Sequence, residues 1–321
     1  MDPCAKALLD GIIDYAGLFP PARLPMDEAF ERFSRHRGED DGWLLARFVC
    51  PAMRLEELEP LLEANDPSQS PIGIAVLGRG GDSLDDFLEG IEWDAAAVRA
   101  FASRQTGRAV ADVFEVRLPS AGGVAVAAES AWRQLTGGGE IPMTPYFEVS
   151  LLGDWRPRLP AAAAAVRDTD RSTCPAGRVG LKIRCGGLDA EAVPEPMAVA
   201  AAIATCRATG VPLKATQGLH HPVRHYDSNV DTMVHGFLNL FAASTLAHAH
   251  DLPVTRLAEI VAEVEPEAFA IRDGRFAWRD LEASSAQVAA ARDGLLTTFG
   301  SCSFAEPRDD LYQLNIIGDV S

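Results

Sequence analysis

Four short stretches decide the fold: FEVRL at 114–118, FEVSL at 147–151, LKIRC at 181–185 and LKATQ at 213–217. Their charged residues Glu115, Glu148, Lys182 and Lys214 are 33, 34 and 32 residues apart, about one βα unit each time. Side chains alternate along a strand. Phe114/Val116, Phe147/Val149, Leu181/Ile183 and Leu213/Ala215 therefore share one face, and Glu115/Arg117, Glu148/Ser150, Lys182/Arg184 and Lys214/Thr216 share the other. In a parallel sheet wrapped by helices the apolar face meets the helices. The charged face then points into a barrel, at equivalent levels near the C-terminal ends of four adjacent strands, where barrel enzymes place their chemistry.

Outward from these units the same grammar continues. Apolar, β-branched runs at 11–19, 43–50 and 71–78 precede them and one at 267–273 follows, making eight strands in all. Amphipathic or Ala-rich helical stretches separate most of them, for example 26–36, 54–64, 83–91, 123–135, 156–167 and 194–210. The expected fold is α/β, a single (β/α)8 TIM-type barrel spanning 1–321, with 219–250 as a loop and helix covering its C-terminal face. An open doubly wound parallel sheet is the alternative. Asp273-Gly274 also reads as a hairpin turn, which competes with the eighth strand.

Composition narrows the function classes. The chain has 321 residues, 47% hydrophobic and 23% charged, which is ordinary globular usage. A net charge of −17 repels nucleic-acid phosphates and anionic membranes, so neither is an expected partner. No apolar run approaches a membrane span, and the N-terminus lacks a signal-peptide pattern; the expected location is cytoplasmic. Six cysteines lie scattered without CxxC spacing, as reduced thiols do.

Two glutamates and two lysines in one barrel interior are poor structural cement, because desolvating an ion pair offsets most of its attraction. The plain reading is a paired polar core; the functional reading is an active site with Glu115, Glu148, Lys182 and Lys214 as catalytic groups. Adding Arg117 and Arg184 gives two negative and four positive charges, a field that suits a small phosphorylated or carboxylated substrate. A desolvated lysine beside a second cation is expected to have a lowered pKa, as an amine nucleophile needs, and the glutamates are placed to move protons.

The pair LKIRCGG and PLKATQGLHH resembles the strand-six and strand-seven lysines of class I aldolases of the deoxyribose-phosphate aldolase type, over about forty residues. The resemblance implies a lyase, with Lys182 forming the Schiff base and Lys214 tuning it, and no cofactor. This chain departs in having Ile-Arg-Cys after Lys182, and GLHHP in place of a glycine-rich phosphate loop.

Six of the seven histidines fall within 220–250, and His220, His221 and His225 follow the seventh strand. They support a competing reading, a hydrolase or isomerase with a divalent metal held by His220, His221 and His225, although no HExxH-like spacing accompanies them. Otherwise His220 and His221 join Arg79, in the glycine turn GRGG at 78–81, as substrate ligands. A third reading is a non-catalytic barrel that binds a small ligand. Cys302, in GSCSFAEP at 300–307, is open to reading as a nucleophile, but Ser303 and Glu306 have capping-box spacing, which favours a helix start.

Overall fold

The protein is described by a computed structural model covering residues 1–64, 70–120, 122–138, 141–173 and 178–318. Thirteen strands are assigned among them: β1 Ile13–Tyr15, β2 Leu45–Pro51, β3 Ile72–Leu77, β4 Ala109–Arg117, β5 Thr144–Glu148, β6 Gly180–Arg184, β7 Leu213–Thr216, β8 His225–Asp227, β9 Thr232–Val234, β10 Phe269–Arg272, β11 Arg275–Trp278, β12 Leu281–Ser284 and β13 Leu296–Ser301. The helices are α1 Pro3–Leu9, α2 Met26–Arg37, α3 Leu55–Glu63, α4 Leu84–Arg104, α5 Val124–Thr136, α6 Trp155–Thr173, α7 Pro196–Thr209, α8 Phe237–Ala249, α9 Val254–Ala262, α10 Ser285–Gly294 and α11 Ala305–Gln313.

Eight strands close into a barrel in the order β1-β13-β7-β6-β5-β4-β3-β2, every pair parallel. The (β/α)8 fold expected from the sequence is therefore present. The apolar partners of the charged residues, Phe114, Val116, Phe147, Val149, Leu181, Ile183, Leu213 and Ala215, are all buried. Burying each large one against the helices contributes about 1.5–3 kcal/mol.

Two expectations change. The run at 267–273 is not the eighth barrel strand; that place belongs to β13, which pairs with β1 and β7. Residues 269–284 instead form the antiparallel sheet β10-β11-β12. Asp273 and Gly274 both have positive φ, 53° and 71°, as the two-residue hairpin turn requires, so the turn chemistry prevailed over the apolar run. The helix within 219–250 does not lie across the mouth either. All of α8 from Phe237 to Ala247 is buried, between α7, α9 and α10, and Phe237 stacks on Phe299 of β13 at 4.7 Å. A helix apolar all round belongs inside a layered wall. Only the loop before it, carrying the hairpin of β8 and β9, follows the C-terminal end of β7.

The barrel interior is part apolar and part charged. Val49, Ala75, Val113 and Tyr146 form a small buried cluster, covered by Ala16 and Phe19 from the loop after β1. Gly180 makes room for Tyr146: a Cβ at 180 would meet the tyrosine ring at 2.4 Å and the Pro212 carbonyl oxygen at 2.9 Å. The obstruction includes backbone, so it cannot relax by a rotamer change. Gly180→Ala is expected to lower unfolding free energy by about 1–3 kcal/mol in urea titration; wild-type stability would mean the interior at this level is loosely packed.

Candidate active site

The charged residues on the inward faces form one continuous chain of opposite charges. Lys182 and Lys214 are direct register partners on β6 and β7, and both are buried. Glu115 stands between them, with Oε2 2.8 Å from Lys182 Nζ and Oε1 2.5 Å from Lys214 Nζ. Toward the mouth, Lys182 also meets Glu148 at 3.0 Å, and Glu148 meets Arg184 Nε at 3.1 Å. On the other side Lys214 pairs with Asp14 of β1, which accepts a 2.7 Å hydrogen bond from the Thr298 hydroxyl and lies 3.5 Å from Arg47. Arg47 ends the chain in a bidentate pair with Asp112, at 2.8 and 2.7 Å.

This corrects the expected charge balance. Arg117 does not join the interior; it is largely exposed at the end of β4 and pairs with Asp82 at 2.6 Å. Asp14, Arg47 and Asp112 take part instead, so the chain holds four carboxylates (Asp14, Asp112, Glu115, Glu148) and four cations (Arg47, Lys182, Arg184, Lys214). The four central residues also differ in level. Glu148, Lys182 and Lys214 are in register, but Glu115 lies opposite Tyr146, two residues lower on β5. That offset lies in the β4–β5 pairing itself, which runs regularly from Val113 opposite Thr144 to Arg117 opposite Glu148.

The electrostatics follow from this alternation. Burial pushes the Glu115 carboxyl up, but Lys182 and Lys214 outweigh it and hold the pKa at about 2. Burial works against the Lys214 ammonium, yet Asp14 and Glu115 raise its pKa above the ordinary value. The lowered pKa expected of a lysine beside another cation is therefore not found at Lys214, because a carboxylate separates the two ammonium groups. Lys182 lies nearer the mouth: its partner Glu148 also contacts Arg184, whose side chain is 54% exposed.

The remaining candidates separate. Arg79 turns away to α4, where its backbone N–H and its guanidinium both donate to buried Asp94, at 2.8 and 3.2 Å. GRGG is thus a turn locked onto a helix. Its Gly81 packs so closely on α4 that a Cβ would sit 2.3 Å from the Phe87 nitrogen. His220 faces Glu306, His221 pairs with Asp310 at 2.6 Å, and His225 Nδ1 lies 3.0 Å from the Val223 carbonyl oxygen. The His221 and His225 rings meet edge to face at 4.5 Å while His220 turns to Glu306, and among the described residues no group of three or more His, Cys, Asp or Glu side chains is arranged to hold a metal ion.

Asp14, placed by the sequence at the end of the first strand where it could cover the site, is joined by Arg47 and Asp112, and all three carry a signal in the sequence. Each is a charge flanked by apolar residues, in GIIDYAG, LLARFVC and VADVFEV.

No protein-family model matches the chain, and no curated protein matches it. No described helix is long and apolar enough to cross a membrane. Among solved structures the chain is similar to a deoxyribose phosphate aldolase from Aeropyrum pernix, described as having a unique tetrameric structure, at 14% identity and a TM-score of 0.41, over 69% of this chain and 86% of that one. The fold rests on the closed eight-stranded parallel sheet, and at this identity the likeness extends to no residue or reaction.

Proposed function

We propose that the protein is a lyase that makes or breaks a carbon–carbon bond next to a carbonyl, through a Schiff base on Lys182, in a small carboxylated or phosphorylated substrate. The observation that supports this reading is the shared carboxylate: Glu115 holds two buried lysines on adjacent strands, 2.8 and 2.5 Å from its oxygens. Both lysines are buried between two carboxylates; Lys214 sits between Asp14 and Glu115, and Lys182 is the one whose second partner, Glu148, also contacts the half-exposed Arg184.

In this mechanism Glu148 takes a proton from Lys182, whose lone pair attacks the carbonyl carbon. The carbonyl oxygen leaves as water and an iminium remains on Nζ. That iminium accepts the electron pair of the bond between the α and β carbons as it breaks, a carboxylate takes the proton of the hydroxyl on the β carbon, and that carbon is released as an aldehyde. The enamine left behind is protonated at carbon and hydrolysed by water to free the amine. Glu115, whose low pKa keeps it ionised, acts as the electrostatic clamp, and Glu148 is the proton carrier. Arg184 is the receptor for the substrate's anionic group, exchanging its contact with Glu148 for phosphate or carboxylate.

Borohydride trapping with small aldehydes, keto acids and sugar phosphates, read by peptide mass spectrometry, tests the reading. A reduced adduct on Lys182, absent in Lys182→Met, is expected; ligand binding with no adduct on either lysine would instead indicate a binding barrel. Lys182→Met leaves Glu115 with Lys214 and Glu148 with Arg184, so its melting temperature is expected within a few degrees of wild type. A loss of about 3–5 kcal/mol would mean that Lys182 is chiefly a structural partner.

A second expectation concerns acid stability. The Glu115 pKa is depressed from 4.5 to about 2 in the folded state, so its ionised form contributes stability that is fully present above 4.5 and is lost as pH falls toward 2. The stability gap between wild type and Glu115→Gln should be level from pH 7 to about 5 and shrink between 4.5 and 2. A gap constant across that acid range would contradict the ion pairing.

A further inference from the structure

A second cluster stands apart from the lysines, built from the loop after β7, the end of β13 and the first turn of α11. Gly218, with φ +69°, turns the chain after β7 and is followed directly by Leu219 and His220. The His220 imidazole lies with Nε2 3.9 Å and Nδ1 4.0 Å from Cys302 Sγ. Its Nδ1 is also 3.1 Å from Glu306 Oε2.

The capping box expected at Ser303 and Glu306 is only half made. The Glu306 N–H donates to Ser303 Oγ at 3.2 Å, but the Glu306 carboxylate faces His220, and the Ser303 N–H donates to Ser301 Oγ instead. A surface glutamate with a helix-start role available to it is committed to a histidine that borders a thiol. Burial disfavours the His220 cation, but Cys302 and Glu306 outweigh it and raise its pKa. The other groups facing the cluster are the Tyr15 phenol, whose titration feels Cys302, and His221 with its Asp310, whose charge Glu306 feels.

We infer that Cys302, His220 and Glu306 form a nucleophilic thiol site at the barrel mouth, suited to α,β-unsaturated carbonyl electrophiles. The thiol proton passes to His220. The thiolate then forms a carbon–sulfur bond at the β carbon, the π pair moves onto the enolate, and the His220 imidazolium returns the proton to the α carbon. No leaving group, oxidant or second thiol is required. That fits the surroundings: the Ser303 and Glu306 N–H groups are already bonded, so neither is free for an acyl oxyanion. The other described cysteines, Cys4, Cys50, Cys185 and Cys206, are buried and free, so none of them is exposed as a resolving thiol.

N-ethylmaleimide, itself such an electrophile, is the probe, with the modified peptide identified by mass spectrometry and the rate compared at pH 7 with glutathione. A free thiol of pKa about 8.5 is about 3% thiolate there, and with His220 beside it to take the thiol proton, labelling of Cys302 is expected to run about tenfold faster than that of glutathione. His220→Gln should remove that advantage. Glu306→Gln, at a half-exposed position that leaves the barrel intact, should reduce it by severalfold. Lys182→Met should label at the wild-type rate, which separates this site from the Schiff-base reading. Labelling of Cys302 no faster than glutathione, or a rate unchanged in both His220→Gln and Glu306→Gln, would overturn the inference.

Discussion

Glu115 is the residue on which the interior depends. One carboxylate serves two ammonium groups that the β6–β7 register forces side by side, and without it two like charges would face each other in a closed space. Moving such charges out of water costs several kcal/mol each, and only close opposite partners offset that. The rest of the chain repeats the solution on either side, with Asp14 and Arg47 below Lys214 and with Glu148 and Arg184 above Lys182. Such a chain accommodates charge in the barrel because each buried member is held by opposite charges. That is why a site of this kind has a sequence signature at all: each of its members is a charged residue with apolar neighbours on both sides in the strand.

The barrel was legible because two periods agreed. The alternation within FEVRL, FEVSL, LKIRC and LKATQ set which face each residue occupies, and their spacing of about one βα unit set the strands beside each other. The outward apolar set and the inward lysines are placed as that reading requires. The eighth strand was not legible. LTTFGS at 296–301 is short and carries two threonines and a glycine, whereas EAFAIRD at 267–273 looks more like a strand and is one, in a separate hairpin sheet. Local pattern identifies a strand but not the sheet it joins. The level of Glu115 was hidden for a related reason, since residue spacing along the chain does not fix the register in which β4 pairs with β5.

The charge sum was misread where a strand ends. Arg117 has the right parity to face inward, but it is the last residue of β4 and its long side chain reaches out to Asp82 in solvent. Asp14 and Arg47, single charges within the apolar strands β1 and β2, complete the interior chain instead. The histidine loop carried a true signal with the wrong chemistry attached. His220 is at the mouth as its place after β7 implied, but its neighbours are a thiol and a carboxylate rather than two further imidazoles. Three-dimensional neighbours 82 and 86 residues away cannot be paired by spacing alone.

The central claim is that Glu115 and Lys214 are mutually dependent members of one buried charge chain. A double-mutant cycle on folding stability tests it directly, using wild type, Glu115→Gln, Lys214→Met and the double variant at neutral pH. Each single change takes from the other residue one of its two opposite charges, Lys214 keeping Asp14 and Glu115 keeping Lys182, while the double change removes both members, so the account predicts that the double variant loses less than the sum of the singles by at least about 1 kcal/mol. Additivity within about 0.5 kcal/mol would contradict it, and would mean that the two residues do not share one interior site.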